Sequence, residues 1–177
     1  MSRDILVSIK SKNGSVPNLL RVLGHSPAAL SGYLNFTGAL ATGALSARVR
    51  EGIALVVAET NSCAYSLSAH SLSGSWAGLT NEEIAQARRA SSVDPKMNAI
   101  LKFARLLVLL RGQVSEADLA RAKEIGISEA EIVEVIAHVA LNTLSNYLNI
   151  AADTVVDAPL VLPGVFPSAP VRVPQVA

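Results

Sequence analysis

The sequence has few of the residues that usually reveal a function directly. Its 177 residues include one cysteine and three histidines, and aromatic residues make up 4%. A single cysteine excludes a disulfide within the chain. The histidines lack the close spacing of a metal site, so no metal or other cofactor is expected. A net charge of +1 gives neither the basic surface that binds nucleic acid nor a polybasic membrane patch.

Long apolar runs are also missing, although half of the residues are hydrophobic and the mean hydropathy is +0.39. A membrane helix needs about 20 predominantly apolar residues, whereas the best run, Ile53–Ala58, lies between Glu51 and Glu59. We therefore expect no membrane span. The excess apolar surface predicts a homo-oligomer. The N-terminus has no signal-peptide pattern, which predicts a cytoplasmic protein.

Helix start and stop signals predict an all-α, single-domain bundle. Thr80–Glu83 and Ser128–Glu131 are capping boxes, and Ser26 and Asp94 each precede a proline suited to the first helical position. Helices are expected near residues 18–23, from 26 to about 43, from 46, from 80, from 94 to 112, from 115 to 126 and from 128. Only Ile5–Ile9 and the tail show strand-like alternation.

The C-terminal tail differs in composition from the rest of the chain. Five of the eight prolines fall between Pro159 and Pro174, and repeated proline blocks both helices and central strands. The sequence therefore divides into a helical domain at residues 1–158 and an extended, proline-rich arm at residues 159–177. The arm is either a disordered end or, because it is apolar, a segment that lies on a neighbouring subunit.

Reactive side chains concentrate between Glu51 and His70. Asn61 or Ser62 can cap a helix, which would place Cys63 in the first turn, where backbone N–H groups and the helix dipole favour a thiolate. Cys63, Ser66 and His70 are spaced to share one helix face, so Ser66 and His70 can touch. Cys63 and His70 are about 10 Å apart along the helix, too far for a direct bond. Glu51, on the preceding helix, reaches this face only by packing across it.

Each of these residues also has a purely structural interpretation. A lone cysteine in an apolar helical protein is more often an inert core residue than a nucleophile. A single histidine on a helix usually has a structural role. The functional interpretation rests on finding a thiol, a hydroxyl, an imidazole and a carboxylate within one helix pair.

The same segment resembles the carboxymuconolactone decarboxylase and alkyl hydroperoxidase D-like (AhpD-like) family. That family has a glutamate, then Cys-x-x-Cys twelve positions later, then a histidine four positions after the second cysteine. Here Glu51, Cys63 and His70 match the glutamate, the first cysteine and the histidine, while Ser66 stands at the second cysteine. The resemblance covers roughly residues 15–158, including the segments 16–20, 25–27, 94–96, 103–104 and 134–149.

The resemblance implies an all-helical homo-oligomer, commonly a dimer, trimer or hexamer, with one of two activities. Hydroperoxidases of the family reduce peroxides: the second cysteine attacks, a Glu/His relay moves the proton, and the first cysteine closes a disulfide. Decarboxylases of the family act on a lactone acid with a histidine and a glutamate as acid–base groups. Because Ser66 replaces the attacking cysteine, the two-cysteine cycle is excluded here.

Three hypotheses follow for the function. The leading one is an AhpD-like peroxidase with peroxiredoxin-type activity, in which Cys63 reacts with a hydroperoxide, assisted by Glu51 and His70, and an external thiol restores it. The alternative is a non-redox, decarboxylase-like enzyme that uses His70 and Glu51 as acid–base groups, with Ser66 binding substrate or acting as a nucleophile. The third is a non-catalytic oligomeric protein.

Overall fold

A computed structural model describes residues 2–164 of the chain. Within these residues there are nine α-helices and no β-strand, which confirms the all-α prediction. The helices are α1 (Ser2–Asn13), α2 (Asn18–Leu23), α3 (Pro27–Ala41), α4 (Ala47–Thr60), α5 (Ala64–Trp76), α6 (Asn81–Arg88), α7 (Pro95–Leu109), α8 (Glu116–Glu124) and α9 (Glu129–Ala151).

Most helices begin at the capping residues that the sequence indicates. The side chains of Ser26 and Ser46 accept hydrogen bonds from the backbone N–H groups of Ala29 and Val49. Thr80, Ser115 and Ser128 each open a complete capping box, in which the acidic residue three positions later bonds back to the capping residue's backbone. These local bonds satisfy backbone N–H groups that the helix itself leaves without partners.

The N-terminal segment is a helix, although the alternation in Ile5–Ile9 resembles a strand. Asp4 lies in the first turn of α1, where an acidic side chain interacts favourably with the helix dipole. The helix ends before Gly14, whose φ of +78° lies in the left-handed region that glycine adopts easily. Helix-favouring signals at both ends therefore outweigh the short alternation.

Helix α4 forms the centre of the bundle. Every residue from Gly52 to Glu59 is buried, and α5, α6, α7 and α9 pack around the helix. A helix that is apolar on all sides is stable only when it is covered on all sides. A three-residue turn, residues 61–63, joins α4 to α5, so the two helices form a hairpin and the Glu51 end of α4 lies beside the middle of α5.

The chain returns to the bundle after α9. Asp157 and Val155 accept hydrogen bonds from the backbone and side chain of Asn18, and Val161 exchanges hydrogen bonds with Ser68. The Gly164 N–H donates to the buried Glu59 carboxylate. Residues 159–164 of the predicted arm therefore lie on helices of their own chain; residues 165–177 lie outside the described part.

Glu59 is the charged residue at the centre of this contact. Its side chain is 0% exposed, and Arg88 Nε donates to Glu59 Oε2 at 2.8 Å. Arg88 also donates to the carbonyl of Leu162. A buried carboxylate is tolerated only when it is paired and hydrogen-bonded, and both conditions are met here. None of the helices in residues 2–164 is long and apolar enough to cross a membrane.

Candidate functional site

Glu51 and His70 form a close pair across the α4–α5 hairpin. His70 Nδ1 lies 2.8 Å from Glu51 Oε2. The two side chains are 23% and 27% exposed, so the pair is partly shielded and partly open to solvent. Glu51 thus packs across to the α5 face, as the motif requires, and its carboxylate directly contacts the His70 imidazole.

The geometry of this pair determines which nitrogen of His70 can act as a base. A carboxylate only accepts hydrogen bonds, so Nδ1 carries the hydrogen that Glu51 accepts. In the neutral imidazole the other nitrogen, Nε2, then has a free lone pair. Glu51 orients the ring and stabilises the imidazolium that forms when Nε2 takes up a proton. The arrangement is that of a general base held in place by a carboxylate.

Cys63 does not occupy the position that the sequence predicts. The expected caps, Asn61 and Ser62, belong to the turn: Asn61 is the C-cap of α4 and Ser62 has a left-handed φ of 56°. Cys63 itself is therefore the N-cap of α5, and its side chain caps no backbone N–H. The prediction that Cys63 lies within the first turn of the helix is wrong by one residue.

The environment of Cys63 also reverses its expected acidity. The residue is 1% exposed and packs with Leu19, Tyr65 and Val156. Burial raises the pKa of the Cys63 thiol. Hydrogen bonding with the Ser66 side chain and with the backbone at Ser66 and Tyr65 lowers this pKa, but burial has the larger effect. The expectation of a lowered thiol pKa at the helix start is therefore wrong, because the apolar cover removes the water that a thiolate needs.

Ser66 is linked to Cys63 and to α9 rather than to His70. Cys63 Sγ donates to Ser66 Oγ at 3.3 Å, and Asn149 Nδ2 donates to the same oxygen at 3.3 Å. The expected Ser66–His70 contact is replaced by these two bonds, while His70 turns towards Glu51. Ser66 therefore belongs to a buried hydrogen-bond chain next to the acid–base pair.

Sequence reasoning missed a buried polar face on α9. We call it the α9 polar face; its members are His138, Asn142, Ser145, Asn146 and Asn149, all of them buried. Their spacing of three or four residues places them on one side of the helix. The available signal was this repeat of polar residues within an apolar helix, where buried amides usually mark a specific requirement.

The electrostatic surroundings link both Tyr33 and His138 to Glu51. Burial raises the pKa of the Tyr33 phenol, and the Glu51 charge adds to that effect. Burial and the charge of Arg50 lower the pKa of His138, opposed by Glu134 and Glu51. The Glu51 charge thus acts on a phenol and an imidazole whose neutral forms are favoured by burial. Within residues 2–164 no three His, Cys, Asp or Glu side chains are grouped so as to hold a metal ion.

One family model and several solved structures are similar to this chain. Residues 27–109 match the model of the carboxymuconolactone decarboxylase family. An alkylhydroperoxidase AhpD core structure, an uncharacterized peroxidase-related protein from Ralstonia eutropha JMP134, is 24% identical with a TM-score of 0.76, over 85% of this chain and 82% of that one. A peroxidase-related protein from Silicibacter sp. TM1040 is 21% identical with a TM-score of 0.76, over 90% and 84%.

A third similar structure is that of a protein named for a different reaction. The debrominase Bmp8 is 17% identical with a TM-score of 0.73, over 89% of this chain and 86% of that one. No curated protein matches the chain in sequence. At these identities the structural similarities establish the fold, and that fold is found in proteins described by different reactions.

Proposed function

We propose that this chain, whose residues 27–109 match the model of the carboxymuconolactone decarboxylase family, is an enzyme that transfers protons to and from a small carbonyl substrate through Glu51 and His70. The observation that carries the proposal is the 2.8 Å contact between His70 Nδ1 and Glu51 Oε2. It leaves Nε2 as a base on a partly exposed ring. The substrate class that fits is a lactone or a related small unsaturated or keto acid.

The proposed reaction needs no oxidant. In a decarboxylation the bond to the departing carboxyl carbon breaks, and its electron pair passes into the adjacent carbonyl system as an enolate. The protonated Nε2 of His70 then gives its proton to the enolate carbon, and Glu51 stabilises the imidazolium until that transfer. Proton removal beside a carbonyl uses the same groups in the opposite order.

The positions of Ser66 and Cys63 support this proposal over a nucleophilic one. A serine nucleophile needs a base within hydrogen-bond reach, but Ser66 Oγ bonds to Cys63 and Asn149. We therefore assign Ser66 a binding role at the inner end of the site. Its hydroxyl can also donate, since a hydroxyl that accepts two hydrogen bonds still carries its own proton.

The test is a comparison of His70→Gln and Glu51→Gln with the unmodified protein on a panel of lactones and small unsaturated and keto acids. General acid–base groups typically contribute about 100- to 10,000-fold, so His70→Gln is expected to lose at least about 100-fold in kcat/KM. His25→Gln changes an exposed histidine on the same chain and serves as control. Turnover that survives His70→Gln unchanged would contradict the proposal.

A second candidate function is one-cysteine peroxide reduction, favoured by the hydrogen bonds around Cys63 Sγ. The thiolate would attack one peroxide oxygen, the O–O bond would break, and the alcohol would leave with a proton from His70. The resulting sulfenic acid needs two equivalents of an external thiol, which become a disulfide as Cys63 is restored and water is released. Burial of Cys63 opposes this reaction.

The two candidates are separated by the Cys63→Ser variant. Peroxide consumption in the presence of a small thiol, with a sulfenic-acid trap followed by mass, depends on Cys63 in the second candidate alone. If Cys63→Ser removes thiol-dependent peroxide consumption, the one-cysteine reaction becomes the better description. If consumption is the same in both proteins, the acid–base proposal remains.

A further inference from the structure

A cavity rich in cations lies between the C-terminal end of α6 and the middle of α7. Its volume is about 310 Å³, and its lining residues are Arg89, Ala90, Lys102, Arg105 and Leu106. Of these described residues, three are cationic and none is acidic. Lys102 and Arg105 are three positions apart on α7, so their side chains lie on one face of the helix. Like charges at this spacing repel each other, and an anion between them would offset that repulsion.

The charges around this cavity leave room for a bound anion. Glu82 Oε1 lies 3.7 Å from Arg89 Nη2, and the two side chains are 70% and 50% exposed. An ion pair this long and this exposed contributes little, so Glu82 does not prevent Arg89 from binding another anion. The chain as a whole carries 15 Lys and Arg residues against 14 Asp and Glu residues, so three cations around one cavity are a local excess.

A second cavity, of about 240 Å³, adjoins the first and lies between α7 and α8. Lys102 and Leu106 line both cavities and are one helical turn apart, so they form the boundary between the two. Ile125 is 43% exposed, which leaves the second cavity open to a ligand. Its apolar lining residues are Ala99, Phe103, Leu106, Ala122 and Ile125.

The acidic residue that lines the second cavity is engaged by α8 itself. Asp118 Oδ2 accepts hydrogen bonds from the backbone and the side chain of Ser115 in the capping box. Asp118 Oδ1 lies 3.9 Å from Arg121 Nη1. The second cavity therefore offers a ligand mainly an apolar surface.

We propose that the two cavities together form a binding site for a small organic phosphate, which we call the α7 anion site. Arg89, Lys102 and Arg105 hold the phosphate group, and the apolar part of the ligand packs against Phe103 and Ile125. A phosphate monoester carries a charge of about −1.5 to −2 at pH 7 and three acceptor oxygens, which suits three cations better than the two oxygens of a carboxylate. Arginine also binds phosphate through two parallel N–H groups.

The α7 anion site is separate from the candidate acid–base site. Met97 and Leu101 of α7 pack against Gly52 of α4, the residue that follows Glu51 in the chain. By helical geometry, Lys102 lies on the other side of α7 from this contact. The inference therefore does not depend on the proposed function, and its tests do not use turnover.

The first test is isothermal titration calorimetry of phenyl phosphate with the full chain in a buffer free of phosphate. One molecule is expected to bind per chain. Lys102→Gln is expected to weaken binding at least about tenfold, because it removes a charge-assisted hydrogen bond. Lys102 is exposed, so this variant is expected to fold, and Arg89→Gln provides the same comparison. The matched control is Lys123→Gln, which removes the same charge from α8, where Lys123 pairs with Glu129; it should bind normally.

The second test separates the phosphate group from the apolar part of the ligand. Inorganic phosphate lacks the ring, and benzyl alcohol has a ring without the charge. Each is expected to bind at least about tenfold more weakly than phenyl phosphate. Ile125→Ser is expected to weaken binding of phenyl phosphate and to leave binding of inorganic phosphate unchanged. Phenylacetate, which carries a carboxylate, is expected to bind more weakly than phenyl phosphate.

Three results would overturn this inference. The first is no saturable binding of phenyl phosphate, or equal binding in the unmodified protein, Lys102→Gln and Arg89→Gln. The second is equal affinity for inorganic phosphate and phenyl phosphate, which would remove the second cavity from the site. The third is binding of phenylacetate as tight as that of phenyl phosphate, which would remove phosphate as the ligand class. The effect of His70→Gln on turnover decides the acid–base function independently of all three.

Discussion

Cys63 is subject to two opposing influences at the start of α5. Hydrogen bonds from Ser66 and from the first backbone amides favour the thiolate, and the apolar contacts with Leu19 and Val156 oppose it. Desolvation is the larger effect because the sulfur is almost completely removed from water. The sequence shows the helix start but not Val156, which reaches Cys63 from 93 positions away in the chain.

We therefore expect Cys63 to react slowly with iodoacetamide at neutral pH in the folded protein. A raised thiol pKa means that the thiolate fraction grows only at alkaline pH, and burial also limits access. The rate would be followed by mass across a pH series, with the same protein in denaturant as control. Rapid native alkylation at pH 7 would contradict the expectation and favour the one-cysteine peroxidase.

His138 is expected to make stability depend on pH. Its pKa is lowered in the folded protein from the ordinary value of 6.5, so the unfolded chain binds the proton more readily. Stability contributed by neutral His138 is therefore complete above that value and is lost as pH falls below it. The urea midpoint should drop between about pH 7 and pH 5, and the drop should be smaller in His138→Gln.

The control for this measurement is His25→Gln, which changes an exposed histidine and should keep the pH dependence of the unmodified protein. The groups that act on His138 are Arg50, Glu134 and Glu51. A drop of equal size in His138→Gln would assign the pH dependence to carboxylates instead.

At the scale of elements, the capping boxes explain why so much of the fold can be predicted. Thr80 and Ser128 determine helix starts through bonds to residues three positions away, and such local bonds are visible in the sequence. Helix α5 begins later than the sequence predicts, because Ser62 adopts a left-handed φ that no local sequence pattern indicates. The Glu51–His70 pair was anticipated from the motif, but its distance depends on tertiary packing.

Ser128→Ala is expected to destabilise the protein by about 1 kcal/mol. The substitution removes the side-chain oxygen that accepts from the Glu131 N–H at the start of α9, the longest of the described helices. The measurement is the urea midpoint with an unchanged m-value. Ser128→Asp keeps an acceptor at the N-cap and should remain close to the unmodified protein; equal losses in both variants would indicate that packing, not capping, is responsible.

In helix α9 the pattern of apolar residues alone does not predict which side chains are buried. Ile136 and Leu144 are as apolar as the buried Ile132, Val135 and Val139, but they are 43% and 51% exposed. The asparagines of the α9 polar face are buried, although polar residues of an amphipathic helix usually face solvent. Only the arrangement of α4 and α5 against α9 decides that its polar face points inward.

At the scale of the whole molecule, the outward face of α9 is unusually apolar. Over five turns its exposed residues carry no charge; they are Val133, Ile136, Ala140, Leu144, Tyr147 and Ile150. The face continues into a groove against α7, which Val108 and Tyr147 help to line. An uncharged face can pair with its own copy about a twofold axis, and we propose that this face joins two copies of the chain.

The double variant Leu144→Lys/Tyr147→Lys is expected to shift the protein from oligomer to smaller species, because like charges would meet across the twofold axis. Light scattering coupled to gel filtration, over a range of concentrations, measures the mass directly. Trp76→Lys changes a residue that is 77% exposed on α5 and should leave the mass unchanged. A monomeric unmodified protein, or an unchanged mass in the double variant, would contradict the proposed interface.

Residues 155–164 contact α2, α4 and α6, and these contacts form only after the last of these residues has been synthesised. Arg88 and Glu59 leave the ribosome long before Leu162 and Gly164, which complete the polar contacts around them. Until then the Glu59 carboxylate can remain hydrated, and α2 lacks its Asp157 and Val155 acceptors. The nascent bundle is thus closed by its most C-terminal described contacts, so the α4–α5 hairpin reaches its final burial only after residues 155–164 have left the ribosome.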